Sequence, residues 1–224
     1  MQVADSTLGS IETVLQRAIS LGVQGANGTL SDTDRAAIAS ELESIQSQLV
    51  YLANTSYQGT YLFAGTATGT PPFAADGTPP SGVRYAGNTS VNTVQIGDSY
   101  RIAINKPGSD LFMATGGDMF QGLTDLIQAV QSNTGYDAAV SEVRSAFNSV
   151  STQRVFYGNV MNQADSQTNW LNSAKVQLSQ QQNTLGGADL AAAATRLSTD
   201  QNNLNATLSA MGHFQQMSLF DYLR

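Results

Sequence analysis

The chain has 224 residues, a net charge of −7, a sequence pI near 4.4 and no cysteine. That length admits one elongated domain or two small ones, and the acidic balance argues against nucleic acid and against an anionic membrane surface as partners. The missing cysteines exclude disulfides, thiol catalysis and cysteine-based zinc sites, and no apolar run reaches the roughly 18 residues that a membrane span needs.

The N-terminus, Met1-Gln2-Val3-Ala4-Asp5, is neither basic nor apolar, so it is not a Sec-type signal peptide. Three expectations follow: a cytosolic protein, export by a route that reads no cleaved signal, or a trimmed chain. All five prolines (Pro71, Pro72, Pro79, Pro80, Pro107) lie between residues 65 and 115. Each would cost about 3 kcal/mol inside a helix. Residues 1–64 and 116–224 are therefore free to be helical, and 65–115 are not.

In the first flank, Leu8, Ile11, Leu15, Ala18 and Gly22 form one heptad seam. Ile38, Leu42, Ile45, Leu49 and Leu52 form a second. Between them, Ser31 or Asp32 is the predicted N-cap of the second helix. Glycines at 22, 25 and 28 predict a first helix that frays or packs unusually close to a neighbour. Asp5, Asp32, Asp34, Glu41 and Glu43 read as helix-start and solvated-face carboxylates.

The proline-bearing stretch reads as a small inserted β domain over 65–115. Val94 and Ile96 alternate around Gln95, and Tyr100, Ile102 and Ile104 alternate with Arg101, Ala103 and Asn105. Gly97-Asp98 is a hairpin turn signal between them. Past the prolines, Phe120, Leu123, Ile127 and Val130 predict a short helix ending near Asn133-Thr134-Gly135.

A very long pattern follows. Positions 139, 143, 146, 150, 153, 157, 160, 164, 167, 171, 174, 178, 181 and 185 keep heptad steps. A helix over that span is roughly 70 Å long, so the fold class expected is mainly α, an elongated rod of long coiled-coil helices. Gly186-Gly187 is predicted to end it. A last helix then carries Leu190, Ala194, Leu197, Gln201, Leu204, Leu208 and Met211, leading to a tail with Leu219, Phe220 and Tyr222. The division expected is 1–64 and 116–186 as the two parts of the rod, 65–115 as the insert, and 187–224 as an assembly helix and tail.

The seams are polar for coiled coil, with Gln153, Gln167, Gln181 and Gln201 at core positions. A buried glutamine costs free energy unless it is paired. Such seams suit either an intramolecular bundle or contacts to other copies. For residues 188–224 the intermolecular reading is favoured, because no partner helix is left in the chain. The predicted assembly interface is Leu190, Leu197, Leu204, Leu208, Met211, Leu219, Phe220 and Tyr222.

No catalytic, cofactor-binding or metal-ligating set is predicted. His213 is the single histidine, and there is no H-E-x-x-H, phosphate loop or nucleophile elbow. Trp170, one place before Leu171, is read as a packing residue.

The stretch Leu15 to Asp32, and Asp34-Arg35-Ala36 leading into Ile38 through Leu52-Ala53-Asn54-Thr55, resemble the N-terminal helical signature of the bacterial flagellin superfamily. Tyr61-Leu62-Phe63-Ala64-Gly65, Pro71-Pro72-Phe73, Val94-Gln95-Ile96-Gly97-Asp98 and the closing Leu219-Phe220-Asp221-Tyr222-Leu223 are similar to its hook-associated branch, found between hook and filament. The resemblance implies a helical rod with an inserted β domain and terminal helices that assemble, and type III export without a cleaved signal. Implied partners are other copies of the chain, a neighbouring hook-associated protein, flagellin and an export chaperone. Members of this superfamily begin with a longer N-terminal helical segment, so the expectation is that upstream residues are missing here. Flagellin of the filament itself is the second reading. A secreted adhesin or hydrolase using the β insert is the third.

Overall fold

The structure is a computed structural model that describes residues 1–97 and 100–216. The chain divides into two compact units, Met1–Gln167 and Thr168–Arg224.

The first unit opens with α1 (Gln2–Gly25) and α2 (Asp32–Ala53). The predicted seam of α1 is buried throughout, from Leu8 to Gly22. Of the α2 seam, Ile38, Leu42, Ile45 and Leu49 are buried and Leu52 is half-buried. Ser31 is the N-cap and closes a capping box: its Oγ accepts from the Asp34 backbone N–H, and Asp34 accepts from the Ser31 backbone N–H. Such a cap supports a helix by about 1 kcal/mol. The first helix does not fray at Gly22. A side chain there would meet Leu126 Cδ1 at 2.8 Å and Val140 Cγ2 at 2.9 Å. Close packing is thus the reason for the glycine.

Three antiparallel ribbons follow: β1 (Ser56–Tyr57) with β2 (Thr60–Tyr61), β3 (Phe73–Ala75) with β4 (Val83–Tyr85), and β5 (Thr93–Gln95) with β6 (Arg101–Ala103). The last is the predicted hairpin, with Val94 opposite Ile102; Asp98 of its predicted turn lies outside the described residues. The first ribbon lies ahead of the prolines and was not legible as alternation, because each of its strands has only two residues. A short helix, α3 (Gly108–Phe112), stands where no helix was expected. It starts directly after Pro107, a position where the missing N–H of proline costs nothing, and it buries Leu111 and Phe112.

Helix α4 (Met119–Ser132) is capped by Asp118, which accepts from the Phe120 and Gln121 backbone N–H groups. It ends as predicted at Asn133, in the left-handed conformation. Helix α5 (Tyr136–Gln216) follows. Its predicted seam is buried at Ala139, Val143, Ala146, Val150, Tyr157 and Val160.

An aromatic node ties the ribbons to the helices. Phe73 packs on Tyr85, Phe112 and Phe120 with ring centroids 5.1, 5.7 and 5.4 Å away, and Phe63 meets Phe112 edge-on at 5.1 Å. All four phenylalanines are almost fully buried. Each such pair contributes about 0.5–1.5 kcal/mol beyond its area, so the β region is anchored in the helical core rather than folding alone.

Candidate assembly surface

In Thr168–Arg224 the structure describes one continuous helical segment of α5, up to Gln216. The predicted stop at Gly186-Gly187 is not taken: the helix runs through both, and neither has a positive φ. Two glycines cost about 2 kcal/mol against alanine. The surrounding turns, with Leu185, Leu190 and four consecutive alanines from Ala191, are strong helix formers and carry the segment through.

Of the predicted interface, Leu190 (74 % exposed), Leu197, Leu204, Leu208 and Met211 all stand open on α5. Leu219, Phe220 and Tyr222 lie outside the described residues. Leu171, Leu178 and Leu185 are exposed as well. Fully covering one leucine is worth about 1.5–3 kcal/mol. A run of eight exposed Leu and Met side chains is therefore a strong drive toward contact. Trp170, read from the sequence as a packing residue, is 61 % exposed and not part of the buried core.

The seam glutamines separate by place. Gln153 accepts from Lys106 Nζ at 2.5 Å, which satisfies its carbonyl inside the first unit, while Gln181 and Gln201 are exposed. Lys106 also lies 5.0 Å over the Phe156 ring, and its backbone N–H donates to the buried Tyr157 hydroxyl. Burial pushes the Tyr157 phenol up to about 12, so it stays protonated across the physiological range.

A second feature escaped the sequence reading. Asp5, Gly9 and Glu12 follow at steps of 4 and 3 on one face of α1. They cradle Arg154 of α5: Nε to Asp5 Oδ1 at 2.7 Å, Nη2 to Asp5 Oδ2 at 3.2 Å and Nη1 to Glu12 Oε2 at 3.0 Å. Gly9 leaves the floor free, since a Cβ there would lie 3.3 Å from the guanidinium carbon. Asp5 stands in the first turn of α1, as expected of a helix-start carboxylate, but it bridges to α5 instead of facing solvent. Asp32, Glu41 and Glu43 meet Arg35, Arg17 and Gln131 respectively.

The motif Tyr61 to Gly65 is a junction of backbone bonds. The Phe63 carbonyl accepts from the Gly108 N–H and the Tyr85 hydroxyl, at 2.7 and 3.0 Å. The Gly65 carbonyl accepts from Asn105 Nδ2 at 2.9 Å. Gly65 has φ +70°, and a Cβ would fall 2.2 Å from the Asn88 carbonyl oxygen, so only glycine fits. Asn54, at the end of α2, grips the Phe73 backbone from both sides, donating to its carbonyl at 2.7 Å and accepting its N–H at 2.8 Å.

Among the described residues no three His, Asp or Glu side chains come together as metal ligands, and His213 is exposed. A groove of about 400 Å³ beside β5 and β6 is lined mainly by Tyr61, Leu62, Val94, Ile96, Ile102 and Ile104. It holds no carboxylate, lysine or histidine.

Residues 1–68 match the bacterial flagellin N-terminal helical region, and residues 140–223 match the bacterial flagellin C-terminal helical region. Flagellar hook-associated protein 3 of Escherichia coli is 27 % identical over an alignment covering 98 % of this chain and 76 % of its own. The flagellin of Listeria monocytogenes is 41 % identical, but over 31 % of this chain and 24 % of its own. The crystal structure of Xanthomonas campestris FlgL superposes with a TM-score of 0.71 at 19 % identity, over 82 % of this chain and 93 % of that one. The two matched helical regions, the shared fold and a likeness to hook-associated protein 3 along nearly the whole chain place this protein in the bacterial flagellin family.

Proposed function

We propose that this chain is a structural component of the bacterial flagellum that joins hook to filament, and that it works by assembly rather than by catalysis. The observation that carries the reading is the run of exposed leucines on α5, from Leu190 to Met211, in a chain that resembles hook-associated protein 3 over 98 % of its length. Leu219, Phe220 and Tyr222, which lie outside the described residues, are assigned to the same interface from the sequence alone. Its partners are further copies of the chain, the neighbouring hook-associated protein, flagellin, and an export chaperone that covers the C-terminal helix before assembly. No residue is assigned a catalytic or cofactor-binding role.

Deleting residues 188–224 tests this in a strain that lacks the natural protein. The first unit should keep its helical circular dichroism and thermal transition, while filaments no longer attach and motility is lost. Full motility of that strain overturns the proposal. The second reading, flagellin of the filament, draws on the similarity to Listeria flagellin. It requires the purified full chain to polymerise unaided into long filaments.

A further inference from the structure

The exposed seam in Thr168–Arg224 has a symmetry. Leu171, Ala174, Leu178, Gln181 and Leu185 follow at steps of 3, 4, 3 and 4, and Leu190, Ala194, Leu197, Gln201 and Leu204 at steps of 4, 3, 4 and 3. The two runs mirror each other about the Gly187–Ala188 bond. Counted outward from it, Leu185 matches Leu190, Gln181 matches Ala194, Leu178 matches Leu197, Ala174 matches Gln201 and Leu171 matches Leu204.

In the continuous helix the two runs cannot share a partner. Five residues separate Leu185 from Leu190. At 3.6 residues per turn that carries the stripe roughly 140° further round the helix. One straight neighbour covers one run and leaves the other in water. In the single chain the six leucines of the two runs are all exposed.

We propose that this segment also closes on itself as an antiparallel helical hairpin, with Gly186, Gly187, Ala188 and Asp189 as the connection. In an antiparallel coiled coil the a layers of one helix meet the d layers of the other. The mirror then sets leucine against leucine in three layers. In the two layers between them it sets the long glutamine against the small alanine, so neither amide is trapped opposite another. A four-residue connection lies within the range of αα-hairpins. Two adjacent glycines supply the left-handed conformations that stop a helix at no steric cost. Around Gly186 and Gly187 nothing lies within 4 Å of where a side chain would stand, so no contact holds the helix straight there. No like charges meet: Lys175 comes level with Asp200, and Arg196 with Ser179.

The closed form hides the six leucines that the open form presents. Leu208 and Met211 lie beyond the mirrored run and remain available for first contact. The hairpin is thus a self-shield that a chain carries before it meets its neighbours, and opening it supplies the assembly surface. The hairpin follows from the mirrored spacing alone; its role as a shield rests on the assembly function proposed above.

The cysteine-free sequence allows a direct test on the full chain. Asn172→Cys and Asn203→Cys carry spin labels at level positions. The open helix holds them roughly 45 Å apart at 1.5 Å per residue. The hairpin, with axes roughly 8–10 Å apart, brings them within about 20 Å. A short distance is expected in the dilute protein, with its population cut at least fivefold by Leu178→Gln and by Gly186→Ala with Gly187→Ala. The long distance alone overturns the hairpin. So does a short distance that appears only between singly labelled chains mixed together, which would assign the seam to a second copy. A hairpin present in a chain whose 188–224 deletion leaves motility intact removes the shielding role and the junction function but keeps the fold-back. Its absence in a chain whose deletion abolishes motility removes the fold-back and the shield with it, and keeps the junction function.

Discussion

Arg154 makes two ion pairs across the first unit, and both come from residues far away in sequence. Its side chain is 39 % exposed, against 28 % for Asp5 and 15 % for Glu12, so water screens the pairs only in part. The two carboxylates hold the guanidinium even more firmly protonated than usual. Replacing it leaves two like charges facing each other on α1. Arg154→Ala should lower stability by about 1–2 kcal/mol, measured by urea unfolding of the full chain. Arg154→Lys should recover only part of this, because an ammonium cannot match the two-pronged contact to Asp5. A variant as stable as the parent would show the cradle to be incidental. Gly22 is the other informative residue. Alanine there gains about 1 kcal/mol of helix propensity. It must also force aside Leu126 and Val140, and such overpacking costs about 1–3 kcal/mol. Gly22→Ala should therefore destabilise on balance, while Gly28→Ala, where nothing lies within 4 Å, should not introduce any clash. Thermal midpoints of the two variants compared side by side decide the point. The glycine spacing was visible in the sequence, and so was the choice between fraying and close contact. Only the neighbours on α4 and α5 decided it.

Among the elements, α2 and the α4–α5 pair respond to pH in opposite directions. The Ser31 hydrogen bonds hold the Asp34 carboxyl below its ordinary value. That contribution is present above about pH 4 and is lost as pH falls through the lowered value. Ser31→Ala should cost about 1 kcal/mol at pH 7 and progressively less below pH 4. Between α4 and α5 the sign reverses. Gly122 lets the helices approach until a Cβ would sit 3.2 Å from the Glu142 backbone carbon, and this brings Glu142 against Asp125. A hydrogen bond with Asp125, then burial and like charge, push the Glu142 carboxyl up. Burial raises Asp118 beside them, against the two backbone bonds that it accepts. A raised carboxyl stabilises below its unfolded value and loses that contribution as pH rises through its folded value. Glu142→Gln should thus stabilise the protein at pH 8, by under about 1 kcal/mol given its exposure, seen as a higher melting temperature, and leave it unchanged near pH 4. A variant that destabilises equally at both would point to lost packing instead. The capping serine was readable from its type and place. The carboxyl pair was not, because its members belong to different helices and meet only where a glycine removes the side chain between them.

Charge is spread unevenly over the whole molecule. Seven basic and fourteen acidic side chains lie in Met1–Gln167, whereas Thr168–Arg224 holds three of each. The entire net charge of −7 thus belongs to the first unit. The exposed seam beyond it is read through leucine, alanine and amide groups. Association of copies through that seam should accordingly not weaken when salt rises from about 0.02 to 0.2 M, a range over which the Debye length shrinks from roughly 20 to 7 Å. It should strengthen modestly as repulsion between acidic first units is screened. Light scattering of the full chain across that range would sink the idea if association fell steeply. Mainly helical architecture, the order of helix, β region and helix, and the apolar stripe from Leu190 to Met211 were all legible at this scale, because periodicity and proline placement are local signals.

What the sequence determined by itself was which faces are apolar, where α2 starts and where α4 ends. Ser31, the seams of α1 and α2, the end of α4 at Asn133 and the core face of α5 to Val160 all follow from short-range spacing. What only the tertiary structure decided was which faces find cover. Leu8 and Leu197 carry the same kind of heptad signal; the first is fully buried and the second 61 % exposed. The physical reason is that periodicity specifies an apolar stripe, while burial depends on a partner that is distant in sequence. The same holds for Gly186 and Gly187: their cost was plain, but their neighbours on the helix carried it through. Arg154, the phenylalanine node and the Gly22 contact likewise exist only because folding brings remote residues together.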